Sequence, residues 1–500
     1  MTVERCSGPG TGTWTSDTYS CKVNGTSNYV YQWNTALKTS ISSEGNFNDA
    51  MKKCIVKWGA DESVTLEVTL LSGAITSYEI CTHFDDVTAT ISAGKLNITV
   101  PAGRKFRLHI NGNKLKPLFV LAGPLEPAIP SGSVTFAAFM AANPGATSCP
   151  SGTKIHFPTG EHTVTAGFLV GDNSTIHISR NAIVDSRWSL VDSTGVVFQG
   201  TGVHQNSSVD PESVWTLALG GASEADLSIY SPYSAYTGQF TTDTIIRGIT
   251  HFATCFRITG GVSKIEDSDF IQYSRGGLGD GPVVRPGLVN LQSYLTRCFV
   301  DAADDAVFLT NSQGNCTISD CVIGTAVNST VHCGYWAYER LCVQLMTGCH
   351  LYHLGIADNN TESGYPSIGD NTVIASRVDA TDEQAADEWG HSDVTFEDCT
   401  VYGTILSRGI FLRNEPYPYD TNLSRDTAGN ITNWRFVRVN FKNAPGQGSL
   451  IIGRDRNNTP NNISFEDCEI AGVKLTARNF RDYFTISSSC YRITVDGHPV

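Results

Sequence analysis

A short unit recurs through the second half of the chain. It reads apolar, polar, an Asp- or Asn-containing turn, then Cys or Phe, then a further apolar residue. Copies begin at Ile265, Leu295, Ile318, Leu345, Val394, Trp434 and Ile463. They carry Phe270, Cys298, Cys321, Cys349, Cys399, Phe441 and Cys468 at the turn's far side. Most neighbouring copies lie 23–40 residues apart; the interval from Leu345 to Val394 is longer and leaves room for a degenerate copy. One short strand per irregular repeat of this length is the mark of a parallel β-helix, in which each coil adds strands to long sheets. Adjacent coils then stack about 4.8 Å apart, and equivalent residues form ladders. A recurring Cys at one phase is expected to pack in such a ladder as a small apolar group. Disulfides among the same residues are the alternative, with a pairing that sequence leaves open.

The first 125 residues are patterned differently. Cys54–Trp58, Val64–Leu70, Lys95–Val100 and Lys105–Ile110 alternate with period 2 between Gly, Asn and Asp turns, as in an antiparallel β-sandwich. The Pro-rich stretch Ala122–Pro130 opens a linker. The expectation is an all-β chain: an N-terminal antiparallel β-sandwich (1–125), a linker (126–150) and a right-handed parallel β-helix (151–500).

Composition narrows the function. With 35 Lys+Arg against 49 Asp+Glu the net charge is −14. No basic cluster is present, which disfavours a nucleic-acid partner and an acidic polysaccharide. No apolar run is long enough to span a membrane. Fifteen cysteines and eleven N-x-[ST] sequons point to a secreted or cell-surface, disulfide-bonded glycoprotein. The sequons are Asn24, Asn97, Asn173, Asn206, Asn315, Asn328, Asn359, Asn422, Asn430, Asn457 and Asn462. Because the cysteine count is odd, at least one thiol is expected to stay free or to pair between chains. The start, Met1 to Cys6, is not a signal peptide; a signal is expected to have been removed or the chain renumbered. Cys349-His350 with His353, and His332-Cys333, bring soft ligands close together. Their strand-like surroundings explain them as core or disulfide residues, so no metal and no cofactor is assigned.

Acidic residues carry the chemistry. Asp280 lies in a Gly-rich segment, and Asp304-Asp305 follow 24 residues later, about one coil. Carboxylates gathered on neighbouring coils suit glycoside hydrolysis: one donates a proton to the leaving oxygen and another activates water. Asp-Asp and Asp-Gly are also ordinary turn residues, and a calcium site could use the same groups.

Several segments resemble glycoside hydrolase family 49, the dextranases and isopullulanases. Gly279-Asp280-Gly281-Pro282 is similar to the family's Thr-Asp-Gly segment, and Ala303-Asp304-Asp305-Ala306 to its Asp-Asp segment. Gly334-Tyr335-Trp336 with Arg340 resembles Gly-Trp-x-x-Arg, and Ile410-Phe411-Leu412-Arg413 resembles Met/Phe-Arg-Ile. Weaker similarities are Pro101–Phe106 and His156–Glu161. The resemblance implies a sandwich joined to a β-helix and inverting hydrolysis of α-glucan. Asp304 would be the general acid and Asp280 or Asp305 the base. Trp336, Tyr335, Arg340 and Arg413 would contact the sugar. Phe308 stands where the family carries Lys, the family's tryptophan-rich opening is not recognisable in residues 1–50, and Ala326–Thr330 replaces a dextranase His-Asn-Asp-Pro stretch. These departures support a second reading: a non-catalytic extracellular structural or adhesive glycoprotein, self-assembling or joined to other glycoproteins. A pectin-degrading enzyme on the same solenoid is third, because the −14 charge suits a polyanion poorly.

Overall fold

The computed structural model describes residues 1–34, 52–82, 84–164, 167–186, 188–190, 193–205, 236–237, 243–253, 256–259, 263–272, 282–285, 292–302, 305–309, 315–325, 329–333, 344–354, 372–377, 390–403, 408–414, 430–444, 446, 448–453, 456 and 459–500. The C-terminal part is a right-handed parallel β-helix with three walls. One wall has fifteen strands and a second has twelve. The third is built from a run of four strands and a run of eight. In a representative coil Asn315–Ser319 lies in the first wall, Val322–Thr325 in the second and Ser329–Cys333 in the third.

The recurring unit is the corner between the first two walls. Asp267, Arg297, Asp320, Gly348, Asp398, Arg438 and Asp467 occupy it with φ between 50° and 63°. Asp and Gly suit this left-handed conformation because a short polar side chain, or none, relieves the steric penalty. Arg at two of the corners is stabilised by its neighbour. The Arg297 guanidinium donates to both oxygens of Asp267 at 2.8 Å, and that of Arg438 to Asp398 at 2.6 and 2.8 Å.

The residue after each corner turns inward. The register Phe299↔Val322↔His350↔Thr400↔Asn440↔Glu469 places Cys298, Cys321, Cys349, Cys399, Val439 and Cys468 in one buried ladder. Each of these thiols donates to the carbonyl two residues back, from 3.2 Å for Cys321–Ser319 to 3.6 Å for Cys468–Glu466. Ser268 makes the same bond to Glu266 at 3.0 Å one coil earlier. Cysteine here is therefore a small apolar residue that also satisfies a corner carbonyl.

The expected disulfide framework is not found among the described residues, where thirteen cysteines are all free thiols; Cys255 and Cys342 lie outside them. In a parallel ladder equivalent Cβ atoms point the same way and stay about one coil spacing apart, beyond the Cβ separation a disulfide takes.

A second inward ladder runs Ile246, Ile265, Leu295, Ile318, Met346, Phe396, Phe436, Phe465. Its phenylalanines stack with centroids 5.4 and 4.8 Å apart and planes within 10°. Met346 pairs directly with Phe396. The long interval between Leu345 and Val394 therefore corresponds to one step of the first wall.

Residues 1–123 form two sheets, one ordered around the strands Lys52–Ala60, Asn113–Gly123 and Lys105–Ile110, the other around Tyr19–Val23, Val64–Leu70 and Lys95–Val100. The pairing is antiparallel except that Leu118–Gly123 runs parallel to Cys54–Gly59. The segment expected as a linker, 126–150, contributes Val134–Thr135, which pairs with the first solenoid strand, and the helix Phe136–Ala142, whose Phe139 packs into the solenoid core.

The first of the sandwich sheets is buried on both faces. Phe106, Leu108 and Ile110 enter the sandwich core, while Lys105, Arg107 and His109 face the second wall of the solenoid. There Lys105 meets Asp269 at 2.7 Å and Arg107 meets Asp301 at 2.8 Å. Asp301 also accepts from the Tyr352 hydroxyl at 2.7 Å and lies 3.4 Å from Lys53. Lys57 donates to Thr250 at 2.6 Å, Trp33 stacks on Phe252, and Phe119 meets Phe299 edge-on. Sandwich and solenoid share one hydrophobic cluster.

Candidate functional site

Asp305 stands two residues before the third-wall strand Val307–Leu309. It is 7% exposed, and both of its oxygens are engaged. Oδ1 accepts the Ser329 backbone N–H at 3.0 Å, and Oδ2 accepts from His332 Nδ1 at 2.9 Å. Ser329 and His332 belong to the strand of the next coil, which pairs Val307↔Val331 and Phe308↔His332. Val331 and Cys333 point into the core, so His332 between them faces outward. The carboxylate thus ties two coils together on the outer side of the third wall.

Arg413 lies on the same outer side, since Ile410 and Leu412 of its strand point inward. It too is nearly buried, at 6%. The register Ser329↔Thr372↔Arg408 puts it three coils from Asp305 and five residues further along. That is roughly 20 Å between Cα atoms, from strand rise and spacing. The structure does not bring these two side chains together. Asp280, Asp304, Tyr335, Trp336 and Arg340 lie outside the described residues.

Six sequons are described and Asn206, Asn328, Asn359, Asn422 and Asn457 are not. Asn24, Asn173 and Asn462 are exposed and have φ of 47°, 52° and 52°. Asn is favoured at such turns for backbone reasons, so these three Asn have a structural reason to be there whether or not they carry glycan. Asn97 and Asn315 are half-buried, and Asn430 opens a first-wall strand.

Among the described residues no group of three or more His, Cys, Asp or Glu could hold a metal ion, and no helix is long and apolar enough to cross a membrane. Cys349 is in the core, whereas His350 packs against Phe84 of the sandwich.

His332 is the residue whose role sequence reading missed. It entered there only as a soft ligand beside Cys333. Its signal was position: a lone His between inward apolar residues, one coil beyond the Asp pair.

No family model matches the sequence, and no curated protein matches it. Among solved structures, Dex49A from Penicillium minioluteum superposes with a TM-score of 0.69 at 14% identity, over 99% of this chain and 96% of that one. The fold is the one Dex49A has. The resemblance to family 49 therefore holds for the architecture from end to end, sandwich included. A family 28 exopolygalacturonase from Yersinia enterocolitica and the catalytic domain of a GH87 α-1,3-glucanase in complex with nigerose match at TM-scores of 0.37, with 11% and 12% identity. They cover 88% and 95% of this chain, and 98% and 86% of their own.

Proposed function

We propose that this chain is a glycoside hydrolase acting on a polysaccharide, with an α-glucan as substrate and inversion as stereochemical course. The observation that carries the reading is the fold likeness to Dex49A, joined to Asp305 at the edge of a third-wall strand, with Asp304 next to it in the sequence. Inverting hydrolysis requires carboxylates roughly 6.5–9.5 Å apart, a range that one coil spacing of about 4.8 Å plus side-chain splay can reach. In the sequence Asp280 precedes Val283 by three residues, as Asp305 precedes Phe308, and Val283 pairs with Phe308 in the third wall. Asp304 is assigned as general acid and Asp280 as base, with Trp336, Tyr335, Arg340 and Arg413 along the sugar. Secretion and N-glycosylation at the sequons belong to the same proposal.

One observation favours the alternative of a non-catalytic extracellular scaffold. Asp305, the one described member of the trio, is buried with both oxygens occupied. The deciding experiment is reducing-sugar release from dextran, pullulan and a wider glycan panel, with Asp304→Asn alongside. Release abolished by Asp304→Asn supports the hydrolase. Absence of release from every glycan leaves the scaffold reading.

A further inference from the structure

The two ends of the solenoid are finished differently. At the C-terminal end the chain folds back antiparallel twice, Val473–Lys474 on Glu469–Ile470 and His498–Pro499 on Thr494–Val495. The same end carries Arg478, Arg481, Asp482 and Arg492, and Lys474 lies 2.7 Å from Asp467 and 3.3 Å from Asp496. Reversed strands and charges keep a sheet from adding further strands. The N-terminal end has neither device among the described residues. Its outermost strands Val134–Thr135 and Ser148–Cys149 pair parallel to the next coil, and no charged residue stands between Glu126 and Lys154 in a chain that is 17% charged. Between those strands lies the helix Phe136–Ala142, which has no polar side chain. Phe136 stacks on Phe157 with ring centroids 5.1 Å apart, and Phe139 meets Phe168 edge-on, so that face belongs to the core. On the other face Ala137, Ala138, Ala141 and Ala142 are exposed, as are Val134 at 42% and Ile129 at 50%. A helix that is apolar all round is ordinarily buried on every side, and the terminal coil of a solenoid ordinarily shows a polar outer face. This end departs from both rules, as a surface does when another molecule covers it.

We infer that the covering molecule is a second copy of this chain, the two N-terminal solenoid ends meeting about a twofold axis. Charge selects that occupant. The face offers no charge by which a charged partner would recognise it. The chain carries −14, so two copies repel wherever charged surfaces approach, and least where these uncharged ends meet. Head-to-tail stacking would press the apolar face onto the charged C-terminal end and strip water from Lys474, Asp467 and Asp496, whereas end-to-end contact desolvates no charge in the segment. A twofold contact needs a surface complementary to itself, and an apolar, uncharged one is. The inference stands apart from the hydrolase reading, because it uses none of the candidate site residues.

The test is the oligomeric state of the full chain, by sedimentation velocity at about 1–50 µM. A dimer is expected. Because no ion pair holds it, raising NaCl from about 0.05 to 0.5 M should leave it intact or tighten it as the repulsion between copies is screened. Ala138→Glu sets a carboxylate of each copy into the contact and should weaken association by about 10²-fold or more. The fold should tolerate this change: Thr135 Oγ1 accepts the Ala138 N–H at 3.2 Å, and Glu at this third helical position completes a capping box. Its thermal melt at the lowest concentration should therefore match that of wild type. Val473→Glu, at an exposed position of the other end, is the control and should stay dimeric. The inference is overturned by a wild type that is monomeric up to about 50 µM, or by a folded Ala138→Glu variant that remains dimeric. Dissociation in Val473→Glu would move the contact to the C-terminal end, and dissociation by salt alone would show a contact held by charge; either result overturns it as well.

Discussion

Replacing Asp301 by Ala removes the anion at the centre of the buried contact between sandwich and solenoid. Arg107 and Lys53, at 1% and 5% exposure, would remain without a carboxylate, and the Tyr352 hydroxyl would lose its acceptor. Breaking a buried ion pair from one side destabilises by about 3–5 kcal/mol, because the remaining charge is desolvated without compensation. For a cooperative unit of this size roughly 1 °C accompanies each kcal/mol, so a fall of about 3–5 °C in Tm is expected. The exposed pair Asp398–Arg438 is the control. Its partners are 51% and 49% exposed, and Asp398→Ala should leave the melt nearly unchanged. A third variant separates charge from packing: Lys53→Met, Arg107→Met and Asp301→Leu together remove all three charges and keep the volume. Because the desolvation penalty disappears with the charges, this variant should recover most of the loss. Urea unfolding followed by fluorescence is apt, since Trp33 and Trp58 are buried in the sandwich. The reasoning is refuted if Asp301→Ala is no worse than Asp398→Ala, or if the triple variant is as unstable as Asp301→Ala.

Three further outcomes are expected. Burial pushes His204 and His350 down to about 4, so in mild acid the unfolded chain binds protons that the fold refuses. Their contribution is complete above the unfolded value near 6.5 and is lost as pH falls toward 4, at about 1.4 kcal/mol per pH unit for the fully buried His204 and less for the half-buried His350; a flat stability profile between pH 7 and 5 would contradict this. Gly324→Ala should disturb the sandwich contact, because an added Cβ would fall 1.9 Å from the Tyr352 ring; a change in Tm of less than about 2 °C would count against that packing. Cys321→Ser preserves the bond to the Ser319 carbonyl, as Ser268 does in its own coil, whereas Cys321→Val does not. Ser should be at least as well tolerated as Val in thermal melts, and the opposite order would mean that the ladder thiols matter only as apolar volume.

The coils were legible because their cause is local and repeated. A left-handed corner residue, Asp at four corners, Arg at two and Gly at one, stands ahead of a small inward residue in each copy, so the seven copies located the solenoid. The sandwich strands were legible for a similar reason, their period of 2. The Pro-rich sequence of the segment 126–150 describes how that segment starts, and says nothing of the helix Phe136–Ala142 within it. Of the candidate site, Asp305 was found as a carboxylate of interest, but its partner His332 was not. A hydrogen bond from one coil to the next depends on coil length, and that length is irregular: the step from Leu295 to Ile318 is short, whereas the step from Met346 to Phe396 is far longer.

The amino-acid order alone decides that this chain winds into parallel coils behind a β-sandwich, since both patterns follow from which side chains can face inward at fixed spacing. Two matters were settled only in three dimensions. Lys105 and Arg107 alternate with apolar residues as a solvent-facing edge would, yet they are sealed against Asp269 and Asp301, which lie far along the chain in the solenoid. Fifteen cysteines suggest cross-links, yet the described ones are thiols, and the five of the corner ladder are kept so by coil stacking, which holds their Cβ atoms parallel rather than convergent. In both cases composition states which groups are present, and only packing states what each of them faces.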